Sequence, residues 1–169
     1  MKNRNRKIPF FLTCFLAMSI LPFSLSGCLP QRQGIGSGID PKHRIGLKTG
    51  SHEGVFRTDD LNLTFRYRYA KEPAGLRIDG ELRYAGKLSY SYSALKSFLF
   101  WIYFVDSSNR VLDRKILVQA GELDGFEKKT VRKDFSLPPE ADAVAFGYTG
   151  QTLGDALIGE GIDFWFTPF

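Results

Sequence analysis

Two carboxylates spaced two residues apart are the first place in this chain where side chains could do chemistry. Asp79 and Glu81 lie in Leu76-Arg77-Ile78-Asp79-Gly80-Glu81-Leu82-Arg83-Tyr84, where apolar and charged residues alternate. In an extended segment, residues i and i+2 share a face, so both carboxyls project the same way. Glycoside hydrolysis uses a pair of carboxyls about 5–10 Å apart, and an i, i+2 pair falls in that range. Arg77 and Arg83 lie on the same face and complete a plus, minus, minus, plus row. Such a row reads as a solvated, self-neutralising sheet surface, with a hydrolase using Asp79 and Glu81 as the alternative.

Metal and nucleophilic chemistry find less support. His43 and His52 are the only histidines, and both fall in or beside a Gly-rich polar stretch. A metal site needs three or four convergent ligands, and a Ser-His-Asp arrangement needs a rigidly held histidine. No catalytic residue, metal or cofactor is therefore assigned. Tyr84, Tyr90 and Tyr92, together with Trp101 and Trp165, are the candidates for an aromatic surface that takes a glycan or a peptide. Each such ring also buries about 150–250 Å² in a core, the commoner use of aromatics in a β protein. Gly34-Ile35-Gly36-Ser37-Gly38 bears a superficial likeness to a phosphate loop, but such a loop needs a strand before it and a helix after it, and Pro41 follows here, so it reads as linker.

The start of the chain has a different grammar. Lys2, Arg4, Arg6 and Lys7 form a positive region without acids, and an apolar run follows from Ile8 to Leu25. That order is the pattern of a secretory signal peptide. Leu25-Ser26-Gly27-Cys28, an aliphatic residue, two small ones and a cysteine, resembles the lipobox of bacterial lipoproteins. The resemblance implies cleavage before Cys28, lipid on its thiol and acylation of the new amino group. It also implies that the partner of this segment is the lipid bilayer, reached through acylated Cys28. Leu29 stands where an inner-membrane retention signal of enteric type has Asp, so the resemblance leans towards the outer membrane.

Removing the leader changes the electrostatic reading. The precursor has 169 residues and a formal charge of +5; without the four leader cations it is +1. A near-neutral domain gives no warrant for a nucleic-acid partner. Roughly 140 residues remain, enough for one domain with its own core. Cys14 falls in the leader and Cys28 in the lipobox, so the mature domain forms no disulfide and relies on packing.

Period-two patterning must position whatever the domain presents. Leu61, Leu63, Phe65, Tyr67 and Tyr69 alternate with polar residues, as do Leu76, Ile78, Leu82 and Tyr84, with Gly80 on the apolar side. Lys87 to Ser93 places Leu88, Tyr90 and Tyr92 on one face and reads as a third strand. Phe98 to Val105 is apolar on both faces and predicts a central strand, with Val111 to Val118 as its hairpin partner. Thr130 to Leu137, Ala143 to Tyr148 and Ile162 to Phe166 follow, with one helical turn expected around Asp155 to Ile158. These elements predict an all-β fold, an antiparallel β-sandwich of about eight strands. From Leu76 to Tyr148 an aromatic strand leads through Asp106-Ser107-Ser108-Asn109 to a Val-Leu strand, and a later strand closes on Leu137-Pro138. That stretch resembles Ig-like envelope domains.

The expected organisation is a signal peptide over 1–27, lipidated Cys28 and a flexible linker over 28–50, and a β-sandwich over 51–169. The linker would have a coil dimension of order 25 Å. The expected protein is a non-enzymatic lipoprotein of the cell envelope that binds or scaffolds another envelope protein or a glycan. A second alternative, beside the hydrolase, starts from Phe164-Trp165-Phe166-Thr167-Pro168-Phe169. This run resembles the terminal signature of outer-membrane barrels and implies a small integral β-barrel.

Overall fold

A computed structural model describes residues 34–58, 63–73, 75–121, 124–154 and 159–169. In chain order its strands are β1 (Ile45–Gly46), β2 (Gly50–Arg57), β3 (Leu63–Glu72), β4 (Gly75–Tyr84), β5 (Ala94–Val105), β6 (Val111–Gly121), β7 (Lys129–Phe135), β8 (Ala143–Leu153) and β9 (Asp163–Phe166). One short helix, α1 (Gly86–Ser91), separates β4 from β5.

Two antiparallel sheets result. One has the order β2-β3-β4-β7; in the other, β1-β8-β5-β6 is joined by β9, which also pairs with β8. Alternation decides which side chains face inward. In β3, Leu63, Phe65, Tyr67 and Tyr69 are buried, while Arg66 and Arg68 between them are exposed. The chain passes between the sheets from β4 to β5, from β6 to β7 and again from β7 to β8, the crossings of a Greek-key sandwich. The fold is the expected all-β sandwich.

Rings from both sheets interdigitate and fill the space between them. Phe65 meets Phe100 with centroids 5.1 Å apart and Phe146 at 5.4 Å, while Phe56 meets Phe146 at 5.5 Å. Tyr148 closes one end, where its hydroxyl and that of buried Thr58 lie 3.0 Å apart. Among the described residues the sheets are two layers over a core of packed rings.

The expected linker boundary needs correction. From Gly34 onward the segment assigned to a flexible linker is part of the domain. Residues 34–40 form a strap beside the start of β6: the Gly36 N–H donates to the Val111 carbonyl at 2.8 Å, and the Val111 N–H donates to the Ser37 carbonyl at 3.0 Å. Ile39 is only 4% exposed, and the Asp40 N–H donates to the Pro168 carbonyl at 2.9 Å. A single 3-10 turn, Pro41–His43, follows, and the Asp40 side chain accepts from the Lys42 N–H at 3.1 Å. Then β1 pairs with the start of β8, and Leu47 is buried. Two isolated apolar anchors, Ile39 and Leu47, and satisfied backbone groups hold a segment that has no hydrophobic period.

A second correction concerns Lys87 to Ser93, expected as a strand. Gly86–Ser91 is helical, buries Leu88 alone and leaves Tyr90 89% exposed. The turn expected around Asp155 to Ile158 lies outside the described residues, as do Cys28 and the leader.

The turn between β5 and β6 shows how side chains set local geometry. Asp106 Oδ1 accepts from the N–H groups of Ser108 (2.9 Å) and Arg110 (2.8 Å). Asn109 takes φ of 63°, a left-handed conformation that costs other L-residues about 1–2 kcal/mol. Asn109→Ala is therefore expected to lower the unfolding free energy by about 1 kcal/mol, with Asn109→Gly close to the parent protein. Denaturant midpoints of the two variants check this.

Candidate functional site

The outward face of the β2-β3-β4-β7 sheet is built from charge. Cross-strand register places Glu53 beside Arg68, Arg68 beside Asp79 and Asp79 beside Arg132. Arg68 bonds Glu53, and Arg132 Nε donates to Asp79 Oδ1 at 2.9 Å. In the row one step along, Val55, Arg66 and Glu81 stand side by side. Between the rows runs a shallow groove of about 650 Å³, floored by the backbone of Gly54, Tyr67 and Gly80.

The groove depends on what lies beneath it. Gly54 and Gly80 pair with Tyr67 from either side and share its inward face. A Cβ at Gly80 would lie 2.5 Å from Phe65 Cε2 and 2.7 Å from the Arg66 carbonyl oxygen. One at Gly54 would strike the Tyr67 hydroxyl. The two glycines make room for the rings under β3.

Asp79 and Glu81 do share this face, as their spacing predicts. Each is tied to a base. Glu81 accepts from Arg83 and from Lys128 Nζ at 3.1 Å. Those hydrogen bonds hold its carboxyl below the usual carboxylate range. Arg77 flanks the pair on the same face, as expected, and donates to Asp134 across the sheet at 2.7 Å. The face is the self-neutralising surface read from the sequence.

The aromatic candidates separate. Tyr84 is wedged between Phe98 and Phe126, at 5.1 and 5.6 Å, and Tyr92 packs partly against the core. Of the three tyrosines, Tyr90 is the one open to solvent. The three tyrosines thus form no common surface, because α1 turns Tyr90 away from the strand geometry that would have aligned them. The Tyr84 hydroxyl is buried without a hydrogen-bond partner among the described residues, and burial pushes its phenol well above the usual value, Asp124 and Glu127 adding to the shift. Tyr84→Phe removes an unsatisfied group and is expected to keep or raise the unfolding free energy, by up to about 1 kcal/mol. Thermal unfolding of that variant is the check.

His43 lies edge-on to Phe166 at 4.9 Å, and His52 lies in β2 with its ring 5.3 Å from Tyr69. They sit on different elements, and among the described residues no three His, Cys, Asp or Glu side chains gather as a metal site.

The outward face of the other sheet is different in kind. Leu99, Trp101, Tyr103 and Val105 of β5 point there, paired across to Thr149, Gly147, Ala145 and Ala143 of β8. From Ser97 to Val105 and the positions paired with them, the charges on this face are Arg114 and Asp163. Arg114 lies over the Trp101 ring at 4.9 Å from its centroid. Tyr103, Val105, Ala143 and Ala145 form a second small core under Ile39 of the strap. Phe169 packs against Tyr103 at 5.5 Å. Beyond this cover, Trp165 is 63% exposed, beside a 320 Å³ hollow edged by Ser97, Thr149 and Gln151. The sequence signal for this face is the apolar run Phe98 to Val105 together with the small residues Ala143, Ala145 and Gly147 of β8. The chain matches no family model, no curated protein and no solved structure.

Proposed function

We propose that the protein is a lipid-anchored envelope lipoprotein whose sandwich acts as a binding or scaffolding module close to a membrane surface. The observation that carries this reading is the distance along the chain between the lipobox and the fold. Residues 29–33 separate Cys28 from Gly34, the first described residue of the strap. Six residue steps span about 20 Å at most, so a lipid on Cys28 keeps the domain near the bilayer. Two or three acyl chains, at about 0.8 kcal/mol for each buried methylene, make that attachment durable. The paired charges over the groove of the β2-β3-β4-β7 sheet suit a polar partner, an envelope protein or a glycan. The Leu29 resemblance leans to the outer membrane.

Fractionation tests the anchor. The native protein is expected in the membrane fraction with acyl mass on Cys28, and Cys28→Ser is expected to leave it. A Cys28→Ser protein that still needs detergent would replace this reading with an integral one.

A further inference from the structure

The two outward faces of the sandwich are chemically unlike, and the chain enters the domain on one of them. We propose that the outer face of the five-stranded sheet is a membrane-docking surface that seats Trp165 in the interfacial layer of the bilayer; this rests on the anchoring reading above.

Four side chains carry the apolar character of this side. Trp165 and Ile116 stand on the face itself, 63% and 40% exposed, and Phe169 and the strap residue Ile35 flank it at 46% and 37%. Ile116 is paired with Trp101 and Trp165 with Thr149, which places both on the outward side. The opposite outer face, by contrast, carries Glu53, Arg68, Asp79, Arg132, Arg77 and Asp134 in paired rows, with Val55 as its one large exposed apolar side chain among the described residues. An apolar patch left uncovered marks a place of contact, and an indole with an apolar body and an N–H fits the boundary between acyl chains and headgroups. Arg114, held over Trp101, puts a cation where lipid phosphates lie.

Chain length selects the bilayer as the occupant. The strap lies on this face: Ile39 covers Tyr103 and Val105, and Gly34 lies against the Phe169 ring. From that point about 20 Å of extended chain is available to reach Cys28. The sheets of a sandwich stand about 10 Å apart, and each outward face adds its own layer of side chains. A lipid on Cys28 is thus within easy reach of the membrane when this face is turned towards it. With the charged face turned towards the membrane, the same few residues would have to run round the whole sandwich. Docking leaves the charged groove facing away from the bilayer, towards a partner.

Tryptophan fluorescence decides the matter, because the chain has two tryptophans. The lipidated protein carrying Trp101→Phe is placed in vesicles of phosphatidylethanolamine and phosphatidylglycerol, with part of the lipid brominated near the carbonyl end of its chains. Trp165 is expected to lose at least half its emission relative to unbrominated vesicles, and to be shielded from aqueous iodide. Should Trp101→Phe disturb the fold, the difference between the parent protein and Trp165→Phe isolates the same signal. A lipidated, vesicle-bound protein whose Trp165 stays open to iodide overturns the docking surface and leaves the anchor standing. Shielding from iodide without bromine quenching also overturns it, by showing that protein covers the face. A chain with no lipid on Cys28 overturns the anchoring reading and this one with it.

Discussion

Phe146→Ala is expected to lower the unfolding free energy by about 3–5 kcal/mol, the largest effect of any single substitution considered for this domain. Phe146 is 1% exposed and lies on β8, the strand that pairs with β1, β5 and β9. Its ring reaches into the facing sheet, with centroids 5.5 Å from Phe56, 5.4 Å from Phe65 and 5.1 Å from Tyr67, and it stacks on Phe100 at 5.6 Å. Truncation removes the burial of the ring and leaves a hole that four rings on three other strands cannot all move to close. Aromatic pairs add about 0.5–1.5 kcal/mol beyond area, so the loss sits towards the upper end. Against a total stability of about 5–15 kcal/mol this is a large share. Urea unfolding should show a lower midpoint at unchanged slope. A loss below about 1 kcal/mol would mean that the ring cluster repacks, contrary to the close packing described above.

Gly80→Ala probes the same core from the other direction. The glycine has no left-handed backbone requirement, so the cost is steric rather than conformational. Its new Cβ would meet the Phe65 ring edge and the carbonyl oxygen of Arg66, the second of which belongs to the neighbouring strand's backbone. Overpacking of this kind costs about 1–3 kcal/mol, and relief requires β3 and β4 to part. Gly38→Ala is the control, since nothing lies within 4 Å of its added Cβ. There the stiffer unfolded chain is expected to raise stability by about 0.4–1 kcal/mol. The two substitutions, identical in chemistry, should move the denaturant midpoint in opposite directions.

Much of the sandwich is legible from side-chain alternation. Leu63 to Tyr69 and Leu76 to Tyr84 announce β3 and β4, and the doubly apolar Phe98 to Val105 announces a strand covered on both sides. What stays hidden has physical reasons. In β2, Gly-Ser-His-Glu-Gly-Val-Phe-Arg, the inward positions are His52, Gly54 and Phe56, and the middle one is empty because Tyr67 fills its space. A strand that offers a gap instead of a side chain leaves no hydrophobic period to read. The strap is held by Ile39 and by backbone hydrogen bonds, which no residue type reports. α1 is one and a half turns long, too short for a period of 3.6 to show against the chance alternation of Leu88, Tyr90 and Tyr92. At the candidate sites, the charge row of Asp79 and Glu81 could be foreseen from spacing. Its partners Arg132 and Lys128 could not, because they arrive from β7 and its approach, some fifty residues later.

The strap also decides how the domain answers a pull. On the anchoring proposed above, tension between Cys28 and a bound partner would reach the strap, whose links are backbone hydrogen bonds: two with Val111 and one each with Asn109 and Pro168. These links can give way one after another, as in unzipping, while the aromatic core stays shut. Each freed residue lengthens the leash by about 3.5 Å, so residues 34–40 hold about 25 Å in reserve. If Cys28 is anchored as proposed, the domain would rest close to the bilayer and yield under strain, with the strap winding back once the load is gone.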